Sequence, residues 1–217
     1  MSISVLIADD HRIVRDGLRA LIDSQPNMQI VAESADGWET IECVKQFSPD
    51  VVVMDISMPK LNGIEATRRI VQLEKGSHVL ALSGHKTQDN IKDMLLAGAI
   101  GYLLKECAGD ELITAILTVA TGRVYVSPSV TNTVITDYVA HLNGSKVPNA
   151  EVLSGREREV LQLIAEGIST AAIADHLSLS VKTVESHRQR IMSKVDIRTV
   201  AGLTKYAIRA GITSLDD

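Results

Sequence analysis

The sequence predicts an α/β domain, a parallel sheet of five strands with helices on both faces, followed by a smaller all-α domain of four helices. Three observations predict it. Five apolar runs of strand length, at 4–8, 29–33, 51–55, 78–82 and 101–104, alternate with stretches of helical spacing. The stretch Asn143-Gly144-Ser145-Lys146-Val147-Pro148-Asn149 is then all polar residues and breakers apart from Val147. From Glu151 to Asp217 only helical spacing remains.

In the first domain Val14, Leu18, Leu21 and Ile22 recur at three- and four-residue steps, and Pro26-Asn27 stops that helix. Ile41, Val44 and Phe47 mark a second stripe, and Ile64, Ile70, Val71 and Leu73 a third. Ile91, Met94 and Leu95 precede a stop at Gly98, and Leu112, Ile113, Ile116, Leu117 and Val119 precede Gly122. Five βα units joined by right-handed crossovers give the flavodoxin-like strand order 2-1-3-4-5, which sets the ends of strands 1, 3 and 4 side by side. Ser127-Pro128-Ser129 can cap a linker helix from about Val130 to Leu142, with a tether beyond it. The predicted division is residues 1–122, a linker over 123–150, and a second domain over 151–217.

In that second domain Ser154-Gly155-Arg156-Glu157 has the form of a capping box ahead of Val160, Leu161, Leu163 and Ile164. Gly167 ends this helix, and Ser169 caps a short one holding Ile173, Ala174 and Leu177. Ser178-Leu179-Ser180 turns the chain into a longer polar helix, Val181 to about Val195. A last helix, Thr199 to Ala210, carries Leu203, Tyr206, Ala207 and Ile208. A short helix, a tight turn and a longer polar helix have the shape of a helix-turn-helix.

Composition excludes some classes. Hydrophobic content of 45% supports a packed core, and 3% aromatic residues make that core aliphatic. Cys43 and Cys107 form no metal or redox motif, so reduced thiols in a cytoplasmic protein are expected. The chain starts straight into a strand with no signal-peptide pattern, and no apolar run approaches the roughly 20 residues of a membrane helix. The six histidines are too scattered to suggest a metal site, with His85 a pocket-rim residue at most.

The polar residues at the strand ends carry the chemistry. Val51-Val52-Val53-Met54 runs into Asp55, and Val5-Leu6-Ile7-Ala8 runs into Asp9 and Asp10. Alone, such an Asp is as well read as a helix or turn cap. Together, on adjacent strands, three carboxylates repel one another, and a hard divalent cation such as Mg²⁺, shared with a phosphoryl group, resolves the conflict. His78 to Leu82 ends in Ser83-Gly84, and Gly101 to Leu104 ends in Lys105. A hydroxyl and an ammonium there suit phosphoryl oxygens, although singly a turn hydroxyl is an equally good reading for Ser83 and a solvated strand end a better one for Lys105.

The set Asp9-Asp10, Asp55, Ser83 and Lys105, with Met58-Pro59-Lys60-Leu61-Asn62-Gly63 after the central Asp, resembles the receiver domain of bacterial two-component response regulators. The resemblance implies that Asp55 is the phosphoacceptor and that Asp10 and Asp9 hold Mg²⁺ with Asp55 and the backbone carbonyl of Ser57. It makes Ser83 the switch hydroxyl, Tyr102 a switch aromatic that turns inward, and Lys105 the phosphoryl-binding lysine. Asn62 stands where Asp is commoner before the glycine, and Ser83 where many members carry Thr.

Charge is unevenly spread. The chain carries −5 overall, from 22 basic and 27 acidic residues, yet residues 151–217 are neutral. Within 182–198, Lys182, Arg188, Arg190, Lys194 and Arg198 stand against Glu185 and Asp196. Charge alone fits a solvated helix face as well as phosphate contact. The run from Leu153 to Leu161, with Ile173-Ala174, Leu177, Ser180, Lys182-Thr183-Val184-Glu185, His187 and Lys194, resembles the LuxR-type helix-turn-helix of the NarL class. That implies phosphate contacts from Lys182, Thr183, Arg188 and Lys194, and base-edge contacts from Glu185, Ser186 and Gln189. Thr170-Ala171-Ala172 departs from the more polar residues usual at the start of the scaffold helix.

The two resemblances imply a DNA-binding transcription factor, not an enzyme, switched when a partner histidine kinase phosphorylates Asp55. They also imply a homodimer on paired half-sites of promoter DNA, RNA polymerase as a further partner, and no membrane partner. Two rivals are a constitutive DNA-binding regulator with a vestigial pocket, and an Mg²⁺-dependent phosphohydrolase using Asp55 as nucleophile.

Overall fold

In the computed structural model residues 2–84, 88–106, 109–132, 135–136 and 153–213 are described. They form two compact units, the first holding most of residues 2–136 and the second residues 153–213. Among them no helix is long and apolar enough to cross a membrane.

The first unit alternates as predicted: β1 Ile3–Ala8, α1 Arg12–Asp23, β2 Met28–Ser34, α2 Gly37–Phe47, β3 Val51–Asp55, α3 Gly63–Gln72, β4 His78–Ser83, α4 Gln88–Leu96, β5 Gly101–Leu104 and α5 Gly109–Val119. With a short sixth strand, β6 Tyr125–Val126, all the described strands pair in parallel, in the order β2-β1-β3-β4-β5-β6. β3 is buried along its whole length, as its β-branched run demands. Val5, Ile7, Val51, Val53, Leu80, Leu82 and Leu103 make an aliphatic core on one face of the sheet with Leu112, Ile116 and Val119.

The sixth strand, β6 Tyr125–Val126, falls in the segment the sequence assigned to the linker. Tyr125 N donates to Ile100 O at 3.0 Å and Ser127 N to Tyr102 O at 3.0 Å. Two residues are too short to carry a period-2 signal, so only the neighbouring strand reveals them. Helical backbone resumes at 128–132 and 135–136; the rest of the predicted linker helix and the boundary near 148 lie outside the described residues.

Several residues of the predicted stripes are exposed: Leu21, Phe47, Val71 and Leu117. A helix lying on a sheet buries a narrow strip, and residues at its margins meet neighbouring helices or water. Leu21 and Val71 sit over Gly109 and Gly98, where an added Cβ would come within 2.8 and 2.9 Å of them.

The second unit contains α6 Gly155–Ala165, α7 Thr170–His176, α8 Val181–Val195 and α9 Val200–Arg209. The Ser154–Glu157 capping box forms in both directions, and the Ser169, Ser180 and Thr199 side chains cap α7, α8 and α9. Gly167 and Ser178 take positive φ after α6 and α7, and Asp196 does so after α8. Val160, Leu161, Ile173, Val184, Ile191, Leu203 and Ala207 are buried.

Candidate functional site

Strand register brings the polar ends together. Ala8 pairs with Met54, Asp55 with Leu82 and Ser83 with Leu104, so Asp9, Asp55, Ser83 and Lys105 all emerge at one edge of the sheet. Lys105 N donates to Ser83 O at 2.8 Å, tying the last two ends together.

Asp9 and Asp55 are almost wholly buried, and Lys105 reaches both. Its Nζ lies 2.6 Å from Asp9 Oδ2 and 2.9 Å from Asp55 Oδ2. Asp55 Oδ1 accepts from Ile56 N at 2.8 Å. Asp9 Oδ1 accepts from His11 N at 2.9 Å. Asp9, Asp10, His11 and Asp55 each offer one ligand atom, all within 4.8 Å of one another. Neither Asp9 Oδ2 nor Asp10 Oδ1 accepts a well-directed hydrogen bond, although both are buried. Three carboxylates face one ammonium, so the cluster stays short of positive charge and its oxygens suit a hard cation. Ser57 follows Asp55 by two residues in the loop leaving β3.

Burial pushes the Asp55 carboxyl up, Asp9 and Asp10 push it further, and Lys105 opposes them, leaving a pKa of about 6. Burial alone would lower the Lys105 pKa, but Asp55 and Asp9 outweigh it and hold it raised. Linkage follows from the Asp55 shift. Its folded pKa exceeds its ordinary 3.8, so the native state binds the extra proton between about pH 4 and 6, and stability falls as pH rises through that window. Asp55→Asn is therefore expected to stabilise the protein in chelator by up to about 3 kcal/mol near pH 8 and by almost nothing near pH 4. Urea unfolding of both proteins at the two pH values checks it; a pH-independent difference would contradict it.

Tyr102 is fully buried at 0% exposure and its hydroxyl hydrogen-bonds Ser83; burial raises its pKa and that bond opposes the rise. The switch aromatic expected to turn inward is thus already inside. Ser83 is buried as well, and its side chain is engaged by Tyr102. His85 and Cys107 lie outside the described residues.

Two residues beside the cluster escaped sequence reasoning. His11 Nδ1 lies 2.8 Å from Asp10 Oδ1 and 3.4 Å from Asp9 Oδ1. Arg15 Nη1 donates to Asp9 O at 2.7 Å and to Asp10 O at 3.2 Å. The only available signal was their position, directly after the carboxylates and one turn into α1.

In the second unit α8 buries Val184 and Ile191 and turns its other side outward. Lys182, Glu185 and Gln189, at helical spacing, are exposed, as are Arg190 and Lys194, while Thr183, Ser186 and Arg188 are half-buried. Two predicted phosphate contacts have other partners. Thr183 Oγ1 lies 2.8 Å from Ser180 Oγ within the cap. Lys194 Nζ donates to Glu157 Oε2 at 2.7 Å, which ties α8 to the start of α6. Burial raises the Glu157 carboxyl, but Lys194 and Ser154 outweigh it and hold it below the usual range.

A buried acidic cluster with a lysine at the carboxyl edge of a parallel sheet, in a chain that also carries a separate helix-turn-helix unit, defines a signalling receiver joined to a DNA-binding module. Comparison with known proteins agrees. Residues 5–117 match the response regulator receiver domain, and residues 151–207 match the bacterial regulatory proteins of the luxR family. The chain is 38% identical to the transcriptional regulatory protein DegU of Brevibacillus brevis, over 96% of this chain and 94% of that one. It is 36% identical to the oxygen regulatory protein NreC of Staphylococcus haemolyticus, over 94% and 96%. Among solved structures it resembles a LuxR-family two-component response regulator from Aurantimonas sp. SI85-9A1, with TM-score 0.61, 35% identity and coverage of 64% and 99%. It also resembles the response regulator ChrA of a heme-sensing two-component system, with TM-score 0.54, 34% identity and coverage of 97% and 98%. RcsB in complex with DNA matches at TM-score 0.59, 26% identity and coverage of 95% and 98%. The chain belongs to the two-component response regulators of the NarL/LuxR class, which carry a receiver domain and a LuxR-type DNA-binding domain.

Proposed function

We propose that this protein is a transcription factor switched by phosphorylation of Asp55. The supporting observation is the buried triangle of Asp9, Asp55 and Lys105, with both lysine contacts within 2.9 Å. A partner histidine kinase supplies the phosphoryl group: its phosphorus–nitrogen bond breaks as a bond from phosphorus to an Asp55 carboxylate oxygen forms. Lys105, already beside Asp55 Oδ2, receives the phosphoryl oxygens as a point charge. Ser83 donates to the same group once it leaves Tyr102.

Asp10, Asp9, Asp55 and the carbonyl of Ser57 would hold Mg²⁺, and the chemistry it supplies is neutralisation of charge on the transferring group. The three carboxylates fit that ion because an oxygen of each lies within 4.8 Å of the others and the Lys105 ammonium alone does not balance their charge. In the second unit Lys182 and Arg188 contact phosphates, with Thr183 and Lys194 joining if their present partners release them. Glu185, Ser186 and Gln189 face base edges. Dimerisation on paired half-sites of promoter DNA, recruitment of RNA polymerase and a cytoplasmic site of action complete the reading.

The burial of Tyr102 favours a second reading, in which DNA binding does not wait for phosphorylation. One experiment separates the two. Intact mass after incubation with acetyl phosphate and Mg²⁺, for wild type and Asp55→Asn, is followed by DNA titration of both. A phosphoryl adduct on wild type alone, with tighter DNA binding, supports the switch. An adduct without a change in DNA affinity supports the constitutive regulator, and no adduct overturns the role of Asp55.

A further inference from the structure

The carbonyl groups of Asp9 and Asp10 lie just past the end of β1, where the sheet ladder no longer satisfies them. Asp9 is buried at 0% exposure, so its carbonyl must find a donor inside the protein. Arg15 provides it. From the first turns of α1 its Nη1 donates to Asp9 O at 2.7 Å and to Asp10 O at 3.2 Å. Its Nε faces Glu33 of β2 at 3.6 Å, and Glu33 is also paired with Arg19. The guanidinium is itself largely buried, with 17% of its side chain exposed. Asp9 N in turn donates to Ser34 O at 3.1 Å, so β2 holds the same turn from the other side.

We propose that Arg15, braced by Glu33, is a positioning residue that fixes the Asp9–Asp10 turn so that its two carboxylates point at the divalent cation. This rests on the reading of the cluster as an Mg²⁺ site. A planar fork with several donors can serve two consecutive carbonyls from one terminal nitrogen while its Nε faces a carboxylate, a task a lysine performs only in part. Residues that orient metal-ligating carboxylates set affinity without touching the metal.

The sign of the effect separates this role from the alternatives. Arg15 is a cation near the cluster, so if it acted only through its charge, its removal would tighten binding of another cation. If it only stabilised the fold, removal would lower the unfolding midpoint and leave affinity unchanged. As a positioning residue its loss weakens binding. The test is calorimetric titration of the full chain with Mg²⁺ for wild type, Arg15→Met and Arg15→Lys, beside urea unfolding in chelator. Arg15→Met is expected to weaken Mg²⁺ binding about tenfold, with Arg15→Lys in between. Arg15→Lys decides the matter if the methionine variant does not fold. Unchanged or tightened binding in the folded variants overturns the clamp alone. A wild-type chain that binds no Mg²⁺ overturns the reading of the site and the clamp with it.

Discussion

Replacing Lys105 by methionine is expected to destabilise the metal-free protein by about 3–5 kcal/mol near pH 8, and by far less near pH 5. Methionine keeps most of the stem's volume, so the change is chiefly the loss of one ammonium. That ammonium lies 2.6 Å from Asp9 and 2.9 Å from Asp55, both buried. Without it two buried carboxylates face each other with Asp10 close by, and removing one partner of a buried pair leaves an uncompensated charge. The pH dependence follows from Asp55, which in the intact site titrates at about 6 because burial and Asp9 outweigh Lys105. With the lysine gone its pKa rises further, so below that value the site carries a neutral acid and the penalty shrinks. Saturating Mg²⁺ should restore much of the loss by the same charge argument. A double-mutant cycle with Asp55→Asn makes the test specific. The double variant should be less destabilised than the two single effects predict, because Asn leaves only Asp9 unpaired. Additive effects, or a cost independent of pH, would mean that Lys105 acts through packing of its stem.

The positions of these charges could be read from the sequence because each ends an apolar run. Asp9, Asp55, Ser83 and Lys105 each end or directly follow a continuous apolar strand, and a parallel sheet places all such ends at one edge. The helix-turn-helix was legible for a similar reason: Ser154, Ser169 and Ser180 are caps with a fixed offset to the amides they serve. What the sequence hid depends on partners distant along the chain or on rotamers. β6 exists only against β5. The Lys194–Glu157 pair spans 37 residues, and nothing local marks Lys194 as engaged. Tyr102 could face either way from a strand end; its burial on Ser83 is decided by packing. Arg15 and His11 look like ordinary polar residues of a first helical turn until the carbonyls and carboxylates around them are placed.

Two helical glycines should respond to alanine with opposite signs, and the larger response bears on the site. In both, helix propensity favours alanine by roughly 0.5–1 kcal/mol. At Gly17 in α1 an added Cβ meets nothing within 4 Å, so Gly17→Ala is expected to stabilise by about that amount. Gly63 is the first residue of α3, and there the added Cβ would lie 1.9 Å from Asp55 O, 2.9 Å from Asp55 C and 3.0 Å from Met54 Cγ. Two of those three atoms are backbone of β3, so no rotamer change relieves the clash. Nor is the loop free to retreat. Gly63 N donates to Ile56 O at 2.9 Å, and Asn62 caps the helix by accepting from Glu65 N at 3.0 Å. Relief requires α3 to withdraw or the end of β3 to shift, breaking buried packing, and Gly63→Ala is expected to destabilise by about 3 kcal/mol or more. Because the displaced backbone is that of Asp55, its carboxylate moves relative to Asp9 and Lys105, and acyl-phosphate formation should fall with stability. Urea unfolding and acetyl-phosphate labelling of both glycine variants check this. If Gly63→Ala matched Gly17→Ala, α3 would have room to move, and the close approach of its first turn to Asp55 would not be what fixes the carboxylate in place.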